Sequence, residues 1–160
     1  MNFYSKSSPI RLATSPVRNN WVQRVEESGL VWHGNSTDAY WNENEHIVFT
    51  LEAAETLEAA ANELHALCLD ACEQIIRRDL WHKLRIPEDL QSMIYTSWGC
   101  QDFSLYGRFD LAWDGTGTPK LLEYNADTPT SLLEAAVIQW DWLKDCYPQS
   151  DQLNSLHEAL

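Results

Sequence analysis

Tyr106-Gly107-Arg108-Phe109-Asp110-Leu111-Ala112-Trp113-Asp114, then Gly115-Thr116-Gly117-Thr118-Pro119, then Lys120-Leu121-Leu122-Glu123-Tyr124-Asn125, run without interruption through the chain. From Leu105 to Trp113 the residues alternate. Leu105, Gly107, Phe109, Leu111 and Trp113 fall on one side, Arg108 and Asp110 on the other, and this period of two predicts a strand. The Gly/Thr/Pro segment predicts a turn, and Lys120 to Asn125 a second strand. If the turn takes residues 115 to 118, Asp114 faces Pro119, Asp110 faces Glu123 and Arg108 faces Asn125. Opposed residues of an antiparallel pair project to one face. Two carboxylates, an amide and a guanidinium then share a patch, while Phe109, Leu111, Leu122 and Tyr124 are expected to pack on the core.

Such a face is costly by itself, because opposed like charges destabilise a sheet by roughly 0.2–1 kcal/mol. A divalent cation removes the penalty. Asp, Glu and Asn oxygens are hard ligands of the kind Mg²⁺ takes while it keeps waters and phosphate oxygens. Arg108 would repel a lone metal ion, but it fits if an anion completes the site and guanidinium and Mg²⁺ clamp the same phosphates. The alternative is a surface hairpin with solvated charges and an Arg108–Asp110 or Arg108–Glu123 pair. A register slip of one residue would also carry Glu123 to the other face.

Outward from the hairpin the period becomes helical. Leu51, Ala54, Leu57, Ala61, Leu64, Cys68, Ala71 and Ile75 recur at three- and four-residue spacing. Thr50 is a suitable cap, Glu52 and Glu55 suit the first turns, and Arg77 and Arg78 the last. A second helix is expected from Pro87, with Glu88 and Asp89 in its first turn. Ser131 and Glu134 fit a capping box for a helix running through Trp142 to about Tyr147-Pro148. A short helix near Asn20 would use Trp21, Val25 and Leu30 and end at Gly29. Residues 31–44 read as an aromatic loop with short extended pieces. Residues 1–16 read as a flexible arm, and 17–160 as a single segment. Leu153, Leu156 and Leu160 begin an amphipathic helix with no stop signal, so the chain is expected to be the N-terminal part of a longer synthetase domain. The expected fold is mixed α+β: a long helix packs with the hairpin, and the helix after Ser131 covers the sheet.

The 160 residues allow one domain with a real core. A net charge of −13 argues against a nucleic-acid partner, and no run is long enough for a bilayer span. With no export-type leader, the four cysteines are expected to be reduced thiols in a cytoplasmic protein. The eight tryptophans show no repeat. They read as core and half-buried residues, with a sugar-binding platform as the alternative.

The run from Tyr106 to Asp114, the run from Lys120 through Asn125-Ala126-Asp127-Thr128-Pro129-Thr130, Leu133-Glu134-Ala135-Ala136, Gln139-Trp140 and Leu84-Arg85-Ile86-Pro87 together resemble the glutathionylspermidine synthase family. Its stand-alone branch of acid–amine ligases without an amidase domain is the nearer match. The resemblance implies an ATP-grasp type ligase that phosphorylates an acid with ATP and lets an amine attack the acyl phosphate. It further implies that Arg108 steadies the transferring phosphoryl group, that Arg108, Phe109 and Asp110 touch ATP, and that Asp110, Glu123 and Asn125 hold two Mg²⁺ ions. Thr128 stands where the synthase has a serine that contacts the acid, and Ser131 where it has a cysteine, so the acid pocket differs there. The substrates implied are a small-molecule acid and an amine. The family's ATP-binding lysines lie downstream, so the isolated chain is expected to bind Mg²⁺–nucleotide weakly, to turn nothing over and to contact the missing C-terminal half. An inactive binding or subunit-interaction module derived from such a ligase is the alternative.

Three further groups have two readings each. His65, Cys68 and Cys72 share a helical face, as zinc ligands or as small core thiols. Arg77, Arg78, His82, Lys83 and Arg85 form a basic cluster, as a solvated helix end or a docking point. Asp127 either orients Asn125 or bonds its own backbone in a turn.

Overall fold

The computed structural model describes residues 8–35 and 37–159, without the side chains of His157 and Ala159. Residues 1–7 of the expected arm therefore lie outside the described residues. The remainder of that arm is not loose. Ile10–Thr14 (β1) pairs antiparallel with Glu45–Phe49 (β2), with Leu12 opposite Ile47. Neither strand was expected. Each is five residues long, and the partner lies far along the chain.

The fold is mixed α+β, with two separate two-stranded antiparallel sheets among the described residues. The chain divides into two compact units. The first takes the described residues up to Glu55, Trp113–Gly117 and the described residues from Pro129 onward. The second takes Thr56–Ala112 and Thr118–Thr128.

In the first unit, Trp21–Glu27 (α1) ends as expected, with Gly29 at φ +104°. Positive φ suits glycine, which has no Cβ to clash. Val25, Leu30 and Ile138 form a buried cluster, with Trp21, Trp41 and Leu133 packed against it. The helix after Ser131 has a π-helical stretch, Glu134–Ile138, before the regular turns Gln139–Cys146 (α4). It packs on the β1–β2 sheet: the His46 ring lies 5.2 Å from Trp142 and 4.9 Å from Tyr147. The capping box is not formed. Ser131 sits at φ +72°, and the Glu134 carboxylate accepts the Tyr40 hydroxyl at 2.5 Å. Leu156–Ala159 (α5) is a single turn, and Leu153 lies outside it and half exposed.

Arg18 and Glu43 tie this unit together. Arg18 Nη2 lies 2.7 Å from Glu43 Oε1 and Arg18 Nε 3.0 Å from Oε2. Trp41 Nε1 donates to Oε1 at 2.8 Å, and Arg18 Nη1 reaches Asp145 at 2.8 Å. Burial pushes the Glu43 carboxyl up, but the bonds from Arg18 and Trp41 outweigh it and hold the group below the usual carboxylate range.

Leu51–Arg77 (α2) begins at Thr50, whose hydroxyl accepts the Ala53 N–H at 3.2 Å as a cap. In the second unit its apolar stripe is half buried at Leu57, Ala61, Leu64, Cys68 and Ile75 and open at Ala71. Glu88–Cys100 (α3) follows Pro87 and is tied to α2 by Trp98 Nε1 donating to Glu73 Oε2 at 2.5 Å. The hairpin consists of Arg108–Ala112 (β3) and Lys120–Asn125 (β4). Its first strand is shorter than the alternation suggested. Cys68, Cys72, Cys100 and Cys146 are all free.

Candidate functional site

At the open end of the hairpin, Arg108 is opposite Asn125, Phe109 opposite Tyr124 and Asp110 opposite Glu123. This is the register counted from the sequence, although the assumed turn is not the one formed. Leu111 pairs with Leu121 and Ala112 with Lys120, so a bulge falls between Asp110 and Leu111. Two residues of one strand then oppose one of the other, which re-aims side chains near the irregularity. Leu122 is the extra residue. It is 70% exposed, contrary to the expectation that it packs on the core.

Arg108, Asp110, Glu123 and Asn125 share one face by this pairing. Arg108 Nε lies 3.1 Å from Asp110 Oδ1, with both side chains partly open. Asn125 Oδ1 accepts the Thr128 N–H at 3.1 Å, and its Nδ2 lies 3.4 Å from the Thr128 carbonyl. Asn125, rather than Asp127, therefore makes the side-chain turn that holds Thr128. One lone pair of the Asn125 amide oxygen remains for another partner.

The opposite face is aromatic. Phe109 and Tyr124 stack with centroids 4.0 Å apart and planes at 18°. Tyr124 Oη lies 3.3 Å from His65 Nδ1, which joins the hairpin to α2 as expected. A Cβ on Gly107 would come within 2.8 Å of Tyr124 Cε2, so glycine leaves room for that ring. Sequence reading treated Gly107 only as a member of the alternation. A glycine inside a strand pattern was the available sign of a close approach. Burial raises the Tyr124 phenol, with Cys68 and Cys72 adding to the shift, and burial together with Cys68 raises the Cys72 thiol.

Among the described residues no three His, Cys, Asp or Glu side chains cluster closely enough to hold a metal ion. His65, Cys68 and Cys72 form no such cluster. The hairpin offers two carboxylates and one amide oxygen, a different donor set. Mg²⁺ commonly uses one or two protein carboxylates and fills its remaining positions with water and substrate phosphates. The chemistry of Asp110, Glu123 and Asn125 fits that pattern, and Arg108 beside them fits an anion.

Residues 12–160 match the family model described as glutathionylspermidine synthase preATP-grasp. The chain belongs to this family. Among relatives of this preATP-grasp chain is a Haemophilus influenzae protein named "Putative acid--amine ligase", 41% identical over 155 residues, covering 94% of this chain and 39% of that protein. Trypanothione synthetase of Crithidia fasciculata is 37% identical over 86 residues, covering 52% of this chain and 13% of the enzyme. The bifunctional glutathionylspermidine synthetase/amidase of Escherichia coli is 32% identical over 104 residues, covering 64% and 17%. These names are ligase names. The preATP-grasp chain thus spans about two fifths of the Haemophilus protein's length and less of the others. Among its described residues no helix is long and apolar enough to cross a membrane.

Proposed function

We propose that this chain supplies the Mg²⁺- and phosphate-binding hairpin of an ATP-dependent acid–amine ligase. The observation that supports it most is the pairing of Asp110 with Glu123 beside the Arg108–Asn125 pair. Two opposed carboxylates are an electrostatic cost that a cation removes, and Arg108 supplies the charge that an incoming phosphate would meet.

In this reading Asp110 and Glu123 would hold the metal through carboxylate oxygens, and Asn125 would add the remaining lone pair of its amide oxygen. Mg²⁺, when bound, would neutralise phosphate charge as the phosphoryl group moves from ATP to the acid. Arg108 leaves its contact with Asp110 to steady that group. The strand backbone from Arg108 to Asp110 runs beside the nucleotide, while the Phe109 ring stays on the opposite face against Tyr124. Thr128, held by Asn125, presents its hydroxyl to the acid. The amine then attacks the resulting acyl phosphate, and amide, ADP and phosphate are the products. Serine at position 131, in place of the synthase's cysteine, is consistent with a different acid from the one that synthase uses.

The test is a titration of Mg²⁺ with ADP into the wild type, Asp110→Asn and Glu123→Gln, followed by calorimetry. Each variant should weaken binding about tenfold or more, the loss of one charged ligand. Equal binding in all three sinks the assignment. The 160-residue chain alone should show no ligase turnover.

A further inference from the structure

We propose that Cys68 and Cys72, on the face of α2 that meets Tyr124, form a two-thiolate site for Cu(I). The inference is independent of the ligase reading. Every residue it uses belongs to the second compact unit.

Helix spacing sets the placement. Cys68 and Cys72 stand four residues apart within Leu51–Arg77, so their side chains lie one above the other on a single face. His65, three residues before Cys68, shows what that face meets. Its Nδ1 lies 3.3 Å from Tyr124 Oη, and the two rings meet edge to face with centroids 6.4 Å apart. Both thiols act electrostatically on the Tyr124 phenol, and Cys68 acts on Cys72, so the sulfurs are neighbours of each other and of that ring. Both are free, Cys68 half-buried and Cys72 exposed. Tyr124 is itself held by its stack on Phe109, centroids 4.0 Å apart. The pair therefore has a fixed wall on one side and, at Cys72, an open approach from solvent.

The donor set selects the ion. A structural zinc ion takes four ligands, and among the described residues no third His, Cys, Asp or Glu completes a metal-binding group with this pair. Mg²⁺ and Ca²⁺ take oxygen ligands. Cu(I) is soft, prefers thiolate sulfur, and with its filled d shell is satisfied by two sulfurs in a line. A direct disulfide fits less well. Residues four apart on a helix have Cβ atoms about 5–6 Å apart, whereas a disulfide needs about 3.5–4.5 Å. A metal atom between the sulfurs spans that difference without unwinding the helix. The reaction balances without a change of oxidation state: Cu⁺ and two thiols give a bis-thiolate copper anion of charge −1 and release two protons to solvent.

The test is an anaerobic titration of the 160-residue chain with Cu(I) against a coloured Cu(I) chelator. The thiolate-to-copper charge-transfer band in the ultraviolet gives the stoichiometry, and X-ray absorption counts the ligands. One ion per chain with two sulfur neighbours is expected. Cys68→Ser and Cys72→Ser should each weaken Cu(I) about a hundredfold or more, at least the upper range for losing a group that merely supports a metal ligand. Cys100→Ser combined with Cys146→Ser should bind as the wild type does, and an equal concentration of Zn²⁺ should not displace the copper. Cys72 is exposed, so its variant remains a valid test if the Cys68 variant does not fold. The proposal is overturned if Cys72→Ser binds Cu(I) as tightly as wild type, or if the Cys100/Cys146 double variant loses the ion. Displacement by equimolar Zn²⁺, or a bound ion with more than two protein ligands, overturns it as well.

Discussion

Replacing Glu43 by alanine should remove a large part of the stability of the first unit. The Glu43 side chain is 2% exposed and that of Arg18 is 9% exposed. The variant leaves a buried guanidinium without its main partner and strips the Trp41 indole of its acceptor. Breaking a buried ion pair from one side costs about 3–5 kcal/mol. Asp145, still 2.8 Å from Arg18 Nη1, offsets part of this and places the expectation near the lower end. For a chain of this size that is a fall in Tm of about 6–12 °C. Urea unfolding followed by tryptophan fluorescence measures it, because Trp41 reports from the site of the change. Glu43→Gln keeps an acceptor and should lose about half as much. Arg18→Met combined with Glu43→Leu should recover most of the loss, since replacing both charges with apolar groups can be nearly neutral. The reasoning fails if Glu43→Ala stays within about 1 kcal/mol of wild type, or if the double variant is less stable than the two single effects combined.

Gly107→Ala should push the Tyr124 ring off Phe109 at a cost of about 1–3 kcal/mol, read by near-UV circular dichroism and chemical unfolding. In a Tyr124→Ala background the same substitution should cost almost nothing, and an undiminished cost would assign it to the backbone instead. Acid should weaken the fold in two stages. Burial and the nearby Arg11 lower the His46 pKa, so the neutral ring, hydrogen bonded to Ser15 Oγ at 2.7 Å, is favoured in the folded state. The unfolded chain takes the proton first, and stability should fall as pH drops below about 6.5. His46→Gln should flatten that slope in a melt series. The Glu43 contribution is present above its unfolded value of about 4.3 and should be lost as pH falls through its lower folded value.

Much of the hairpin was legible because its signals are local. Alternation marks the strands, Gly115-Thr116-Gly117 marks the turn, and counting back from the turn pairs Asp110 with Glu123. The bulge was not legible, since an extra residue at Leu122 leaves the alternation intact up to Glu123. The turn was placed one residue off, and the bulge absorbed the error before the charged pairs. Helix α2 was legible for its length: 27 residues give the three- and four-residue spacing time to declare itself. Strands β1 and β2 were not. Ile10–Thr14 is too short to reveal a period beside Pro9 and Pro16, and its partner lies beyond an irregular loop. Ser131 and Glu134 carried the sequence signature of a cap, but Tyr40, 94 residues earlier, captures the carboxylate. Local patterns lose to long-range partners in such places.

The interleaving of the two units has a consequence for how the chain is made. Val25 and Leu30 leave the ribosome early, but Ile138, which completes their buried cluster, follows only after the second unit has been synthesised. At about 5–20 residues per second, the roughly 70 residues between Glu55 and Pro129 hold the first unit open for about 4–14 s. During that interval β1 and β2 can pair, but Trp21, Val25 and Leu30 lack their covering helix. Synonymous codons that slow translation of residues 56–128 should therefore lower the yield of folded chain more than the same slowing applied after residue 143.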